Sequence, residues 1–248
     1  MLFDLLLYYQ KYILNLFENK YIAHRGLHFN KEIPENSLLA FKKAIEKNYS
    51  IEFDITISKD NQIVVFHDED LYRLCGIKEN IEQMDYSFFK ERKLYESNEY
   101  IPLFTEVLDL VSGKITLIIE IKKHKNIGIL ENKLVDLLEK YNGKYLICSF
   151  EKEILFWFKR NKPNLKRGLI FESSPKKFQK YNKTLFLYKY YKIKADFISL
   201  DYKLLNSTIY DFCKKNSLEL ITWTIKNKED YKKVDLKVDA VIFENIIL

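Results

Sequence analysis

A chain of 248 residues, 47% hydrophobic, is long for a two-layer domain and carries enough apolar side chains for a sizeable core. Six glycines and four prolines exclude low-complexity and collagen-like chains. The formal net charge of +6 is spread along the sequence without a block of five like charges, which argues against a nucleic-acid-binding tail; the lysine excess reads as a solvated surface, with mild attraction for anionic substrates or lipid headgroups as the alternative.

Residues 1–20 are treated as an N-terminal amphipathic helix, because Leu2, Phe3, Leu5, Leu6, Tyr9, Tyr12, Ile13, Leu16 and Phe17 recur at helical spacing. Asp4, Gln10, Lys11, Asn15 and Glu18 interrupt the run, so a membrane-spanning helix is disfavoured. There is no basic leading region and no small-residue cleavage site of the secretory kind. The helix is expected either to pack on the domain that follows or to lie on a membrane surface.

From Tyr21 the rhythm becomes strand, loop, helix, and residues 21–248 read as one domain. A first strand ends at His24, and Ser37 stands where an N-cap would open a helix over 38–47. The next strand covers 51–57, and a turn at 58–61 leads into 63–66. That turn is too short for a parallel crossover, which needs about a dozen residues, so the two segments should form an antiparallel hairpin carrying His67 back beside Glu52 and Asp54. Residues 71–101 read as a loop-rich insertion with a short helix at 86–92. Helices follow at 103–111, 129–141, 151–159, 207–215 and 228–234, alternating with strands at 115–122, 145–148, 167–171, 197–200, 219–224 and 240–243. Residues 173–194, rich in Lys and Tyr, are expected to form a helix preceded by a mobile loop. With the hairpin's return strand set aside, eight strands remain in βα rhythm, which argues for an α/β fold of the closed (β/α)₈ barrel type, near the ~250 residues typical of it. Cys75, Cys148 and Cys213 are odd in number and form no CxxC, so a disulfide framework is not expected and a reducing, cytoplasmic compartment fits.

Barrel active sites lie where strands end at the C-terminal face, and His24, Glu52, Asp54, Glu120 and Lys122 fall at or near such ends. Glu52 and Asp54 are two apart on one strand and share a face; Glu120 and Lys122 repeat the pattern. Three carboxylates converging on one mouth call for a hard divalent cation, Mg²⁺ or Ca²⁺, although each taken singly could be an ordinary partner of a lysine. Carboxylates within apolar strands are costly without such a reason. His24 and His67 could serve as base and acid on opposite sides of a scissile P–O bond. Arg25 could form paired hydrogen bonds to phosphate oxygens, with Lys122 adding a second positive charge. His28 and His124 fit the strand-end pattern less well and read as satisfied core residues.

The order His24-Arg25-Gly26, Pro34-Glu35-Asn36, Glu52-Phe53-Asp54, Phe66-His67-Asp68 and Glu120-Ile121-Lys122 resembles the glycerophosphodiester phosphodiesterase family. Weaker matches are Ile101-Pro102 ahead of Glu106, Ser149-Phe150, and the run from Trp223 to Asn227, so the likeness covers nearly everything after Tyr21. It implies a TIM barrel that uses a divalent metal to hydrolyse glycerophosphodiesters to glycerol 3-phosphate and an alcohol. By the same motifs Glu52, Asp54 and Glu120 would hold the metal, and His24 and His67 would be the acid–base pair. Arg25 and Lys122 would contact phosphate, Glu35 would orient groups at the metal or His24, and Phe150 and Trp223 would line the alcohol end of the pocket. One departure stands at the last strand, where this chain has Phe243-Glu244-Asn245-Ile246 in place of an acidic residue with a nearby proline. Two other readings are carried beside this one: a related phosphodiesterase acting on lysophospholipids, with residues 1–20 docked peripherally at the inner membrane face, and a non-catalytic barrel that binds glycerophosphate-like ligands.

Overall fold

The structure, a computed structural model, describes residues 16–248. The helix predicted for residues 1–20 therefore lies largely outside the described residues, and 16–20 form bends and extended chain without a helical turn. The strands in order are β1 (Tyr21–His24), β2 (Ser50–Ile57), β3 (Ile63–Val65), β4 (Leu117–Ile121), β5 (Tyr145–Ser149), β6 (Arg167–Phe171), β7 (Phe197–Asp201), β8 (Glu219–Ile225) and β9 (Ala240–Phe243). All but β3 are parallel, and β1 pairs with both β2 and β9, which closes an eight-stranded barrel.

Helices α1 (Leu38–Glu46), α2 (Tyr72–Cys75), α3 (Tyr86–Phe89), α4 (Phe104–Val111), α5 (Ile129–Leu138), α6 (Lys152–Asn161), α7 (Asn182–Ile193), α8 (Thr208–Lys215) and α9 (Lys228–Val234) complete the described chain. None is long and apolar enough to cross a membrane. Ser37 caps α1 as expected, its Oγ accepting the Ala40 N–H at 3.1 Å. In the 71–101 insertion the helix expected at 86–92 is present as the one-turn α3, and a second one-turn helix, α2, precedes it with a 3₁₀ turn at Ile81–Gln83 between them.

The period-2 alternation of a strand divides β2 between two environments. Ile51, Phe53 and Ile55 face outward into the layer shared with Phe41 of α1 and Phe104 and Val107 of α4. Glu52 and Asp54 face the other way, into the barrel mouth. Inside, Ile22, Ile118, Leu146, Ile170, Phe197, Ile221 and Ile242 fill the lumen. Phe17 completes this inner core from the N-terminal end, its ring edge-on to Phe197 with centroids 5.4 Å apart. Only glycine at 168 leaves room for Phe197, since a Cβ there would stand 2.2 Å from the ring.

The β2–β3 hairpin is antiparallel, as its short turn requires. The Phe66 N–H donates to Asp54 O and the Lys122 N–H to Ile55 O. Successive carbonyls of a strand point to opposite sides, so β3 occupies the β1 side of β2, beyond the point where β1 stops. That position sets His67 over the mouth.

Candidate active site

The turn after β1 shapes the site. Arg25 (φ 52°) and Gly26 (φ 79°) are both left-handed, and a Cβ on Gly26 would lie 2.8 Å from the Phe41 ring and 2.9 Å from the Ala40 backbone. The reversal aims the Arg25 N–H at Glu52 Oε2 (3.2 Å), while the Arg25 carbonyl accepts the Asn36 N–H (2.9 Å). Asn36, also left-handed, donates its side-chain amide to Asp54 Oδ2 at 2.9 Å. The two loop motifs are thus one buckle, fastened to the carboxylates of β2.

Strand register brings the acids together. His24 pairs with Glu52 across β1–β2, and Asp54 with Glu120 across β2–β4. Carboxylate oxygens of Glu52, Asp54 and Glu120 all lie within 4.8 Å of one another, and all three residues are buried. Burial, then the charges of Asp54 and Glu120, pushes the Glu52 carboxyl well above the usual carboxylate range. Glu120 is raised by burial and by Asp54. Asp54 goes the other way: burial opposes ionisation, but Lys122, Arg25 and His67 outweigh it. Lys122 Nζ stands 2.7 Å from Glu120 Oε1 and 3.4 Å from Asp54 Oδ1, and Arg25 Nε 3.3 Å from Asp54 Oδ2. Both cations of the sequence-predicted site therefore rest on its carboxylates. Glu35 makes no direct contact with His24; its Oε1 accepts from Arg25 Nη1 at 2.6 Å, and both its oxygens accept from Arg73 at 2.7 Å.

Each of the two predicted histidines has a carboxylate at Nδ1. His24 Nδ1 lies 2.7 Å from Glu244 Oε2, and His67 Nδ1 2.6 Å from Asp68 Oδ1. Burial lowers the pKa of His24 despite the hydrogen bond to Glu244. That bond, against the opposing effect of burial, holds Glu244 down at about 2. The acidic residue without its proline at the last strand is thus no obstacle to closure: β9 pairs with β1, and Glu244 reaches His24. Arg73 Nε donates to Asp68 at 2.7 Å while its terminal nitrogens hold Glu35, so one guanidinium links the two loop motifs.

His28 corrects the expectation of a satisfied core residue. It is half-buried beside His24 and Glu244, and its Nε2 has no hydrogen-bond partner among the described residues. It lines the same cavity as His24 and Glu244. His124 is held at Nδ1, 2.9 Å from the Lys122 carbonyl, while its Nε2 lies 3.1 Å from buried Glu131 as an ion-pair contact outside hydrogen-bond geometry.

A cavity of about 340 Å³ opens among His24, Arg25, Glu52, Glu120, Phe150 and Trp223. Phe150 and Trp223 meet edge to face at 5.7 Å on its far wall. Asp54 is buried and lines neither this cavity nor a second one, which Lys122 faces and which shares Glu120 and Phe150 with the first. His67 lines neither and stands at the rim.

The sequence profile of the glycerophosphoryl diester phosphodiesterase family matches residues 24–248. The chain belongs to this family. It is 31% identical over 242 residues to a glycerophosphodiester phosphodiesterase of Caldanaerobacter subterraneus subsp. tengcongensis, covering 90% of this chain and 93% of that one. A human lysophospholipase D is 32% identical over 143 residues, 52% of this chain and 44% of the other. Among solved structures, the glycerophosphodiester phosphodiesterase of Thermotoga maritima superposes with a TM-score of 0.73 at 25% identity, over 90% of this chain and 93% of that one. An Oleispira antarctica phosphodiesterase, solved with its product sn-glycerol 3-phosphate, shares the fold with a TM-score of 0.78 at 20% identity, over 91% and 92% of the two chains. As a glycerophosphodiester phosphodiesterase family member the chain is a phosphoric diester hydrolase acting on small glycerophosphodiesters. Glu244, Arg73, Asn36 and Asp68 were given no role by sequence reasoning, and His28 was read as core. Asn36 and Glu244 were present in the quoted motifs, and an acid next to the strand that closes on His24 was a usable signal.

Proposed function

We propose that this phosphodiesterase splits glycerophosphodiesters into glycerol 3-phosphate and an alcohol through a divalent cation and a histidine pair. The observation that carries the reading is the set of three buried carboxylates flanked by two histidines, each backed by a carboxylate at Nδ1. The donor set fits a hard cation such as Mg²⁺ or Ca²⁺: it is all oxygen, and the Glu52 carboxyl is raised well above its usual range by burial and by two neighbouring acids whose charge a cation would neutralise. When bound by Glu52, Asp54 and Glu120, the ion supplies Lewis-acid polarisation of the phosphate. Arg25, steadied by Glu35, and Lys122 bind the phosphate oxygens. His24, kept neutral by burial with its Nδ1–H on Glu244, takes a proton at Nε2 from the attacking water as the new P–O bond forms. His67, fixed by Asp68, gives a proton to the leaving alkoxide as the old P–O bond breaks. Phe150 and Trp223 wall the end that takes the alcohol.

The human lysophospholipase D among the relatives favours lysophospholipids as a second substrate class. The three free thiols fit a reducing, cytoplasmic setting. The test is release of glycerol 3-phosphate from glycerophosphocholine and glycerophosphoethanolamine with Mg²⁺, with Ca²⁺ and with chelator, beside His67→Ala. Cation-dependent release that the variant lacks is expected. Release that persists in chelator, or in the variant, would overturn the assignment, and activity confined to lysophosphatidylcholine would select the second class.

A further inference from the structure

The segment between β6 and β7 carries a surface that neither the barrel nor its chemistry needs. From 173 to 195 it contains seven lysines and no acidic residue, with Glu172 and Asp196 at its borders. It begins as a 3₁₀ turn, Lys176–Tyr181, with no buried residue, and continues as α7. One face of α7 is core: Asn182, Phe186 and Ile193 are buried. Tyr181, Leu185, Tyr188 and Tyr191 follow at spacings of four, three and three, which places them on one stripe about opposite that face. With Phe178 they form a row whose exposure runs from 42% at Leu185 to 61% at Tyr191. The helix is apolar on both sides, and only one side is covered.

Cations frame this row. Lys177 sits over the Phe178 ring, Lys180 over Tyr181, and Lys152 of the neighbouring α6 over Tyr188. Among the described residues Lys176, Lys177, Lys180 and Lys183 have no ion-pair partner. Leu185 and Lys189 of the same helix line the second cavity, which contains Glu120 and Lys122. The patch thus adjoins the mouth on the side where the site opens past Phe150.

We propose that residues 176–191 dock this enzyme onto an anionic lipid bilayer. Aromatic rings that are apolar in body and polar at the tip suit the headgroup–acyl boundary, and lysines around them suit an anionic surface. A single-stranded nucleic acid would meet the same charge and stack on the rings, but Leu185 in the middle of the row offers no stacking face, whereas it enters a lipid interface. A second copy of this chain is disfavoured because it would bring the same lysines face to face. The surface would hold the barrel mouth against a membrane whether the substrate is drawn from it or from solution.

The test is flotation of the full-length enzyme with vesicles of pure phosphatidylcholine and of phosphatidylcholine containing 30% phosphatidylglycerol, at about 0.05 and 0.5 M NaCl. Binding is expected only to the anionic vesicles and should fall at high salt. Lys176→Gln/Lys177→Gln/Lys180→Gln should weaken partitioning on the order of a hundredfold. Phe178→Ser/Tyr181→Ser/Tyr188→Ser should weaken it as well, and both variants should turn over soluble glycerophosphocholine like the parent. The readout is binding, so it stands apart from the reaction assigned above. Equal binding to neutral and anionic vesicles, no binding to either, or anionic binding unchanged in both triple variants would overturn the proposal; the last result would route docking elsewhere. Self-association lost in the aromatic variant, or retention on single-stranded DNA without vesicle binding, would overturn it in favour of those partners.

Discussion

Adding a divalent cation should stabilise this protein, and the size of the effect follows from the crowded acids at the mouth. Oxygens of Glu52, Asp54 and Glu120 lie within 4.8 Å of one another. At an effective dielectric of about 20, each ionised pair at such a distance repels by about 3 kcal/mol. Arg25 and Lys122 offset part of this, and a proton held on Glu52 removes more. A cation at a hundred times its Kd stabilises the native state by about 2.7 kcal/mol. For a chain of this size that is roughly 5–10 °C in Tm. The sign with pH is also determined. Glu52 and Glu120 have folded pKa values raised above the unfolded ones, so metal-free stability is greatest below the ordinary carboxylate range and is lost as pH rises through their raised values. Asp54, lowered, changes stability only on the acid side of that range. A bound cation keeps the acids ionised and removes the loss, so the Tm gap between cation and chelator should widen from pH 5 to pH 8. Scanning calorimetry with Mg²⁺, Ca²⁺ or chelator measures it. A shift that is absent, that narrows with rising pH, or that persists in Glu120→Gln would refute the reasoning.

Three further outcomes are expected. Glu244→Gln should lower kcat/KM ten- to a hundredfold, in the range for removing a partner that orients a reactive histidine. Glu244 raises the pKa of His24 against the lowering effect of burial, so losing it should move the acid limb of the pH–rate profile to lower pH, and an upward move would contradict the pairing. Arg73→Ala should cut kcat/KM about tenfold by freeing Glu35 and Asp68 together, with Arg73→Lys recovering part of the loss in the same steady-state assay. Phe17→Ala, which empties the barrel floor beneath Phe197, should cost about 3–5 kcal/mol in urea unfolding while the enzyme remains active at 25 °C.

The barrel was legible because its strands are short apolar runs separated by helical periodicity, and because one turn was too short to be a crossover. Ser37 was legible as a cap for a local reason, since a cap bonds within its own turn. Two segments were less so. Leu16 and Phe17 continue a helical spacing, yet Phe17 packs into the barrel interior outside any helix, and spacing alone does not distinguish a helix face from a plug. The helix expected within 173–194 is present as α7 after a 3₁₀ turn, but its bounds were not legible because aromatic residues occupy both sides, and a helix without a polar face gives little periodic contrast.

At the site the same division appears between residues proposed to do chemistry and residues that hold them. Glu52, Asp54 and Glu120 stood out because ionisable groups within apolar strands need a compensating partner, and the fold brings them together by register. The supports follow no such rule: Glu244 is 220 positions from His24 and Arg73 is 38 from Glu35, whereas Asp68 directly follows His67. A carboxylate behind an imidazole or a guanidinium between two acids can be supplied by any loop that reaches, so no fixed spacing announces it. Asn36 is the instructive middle case. It stood within a quoted motif, but its work is a left-handed backbone and an amide on Asp54, and both depend on the Arg25-Gly26 reversal it faces. A motif of this kind records a contact between two loops, and either loop read alone looks like a turn.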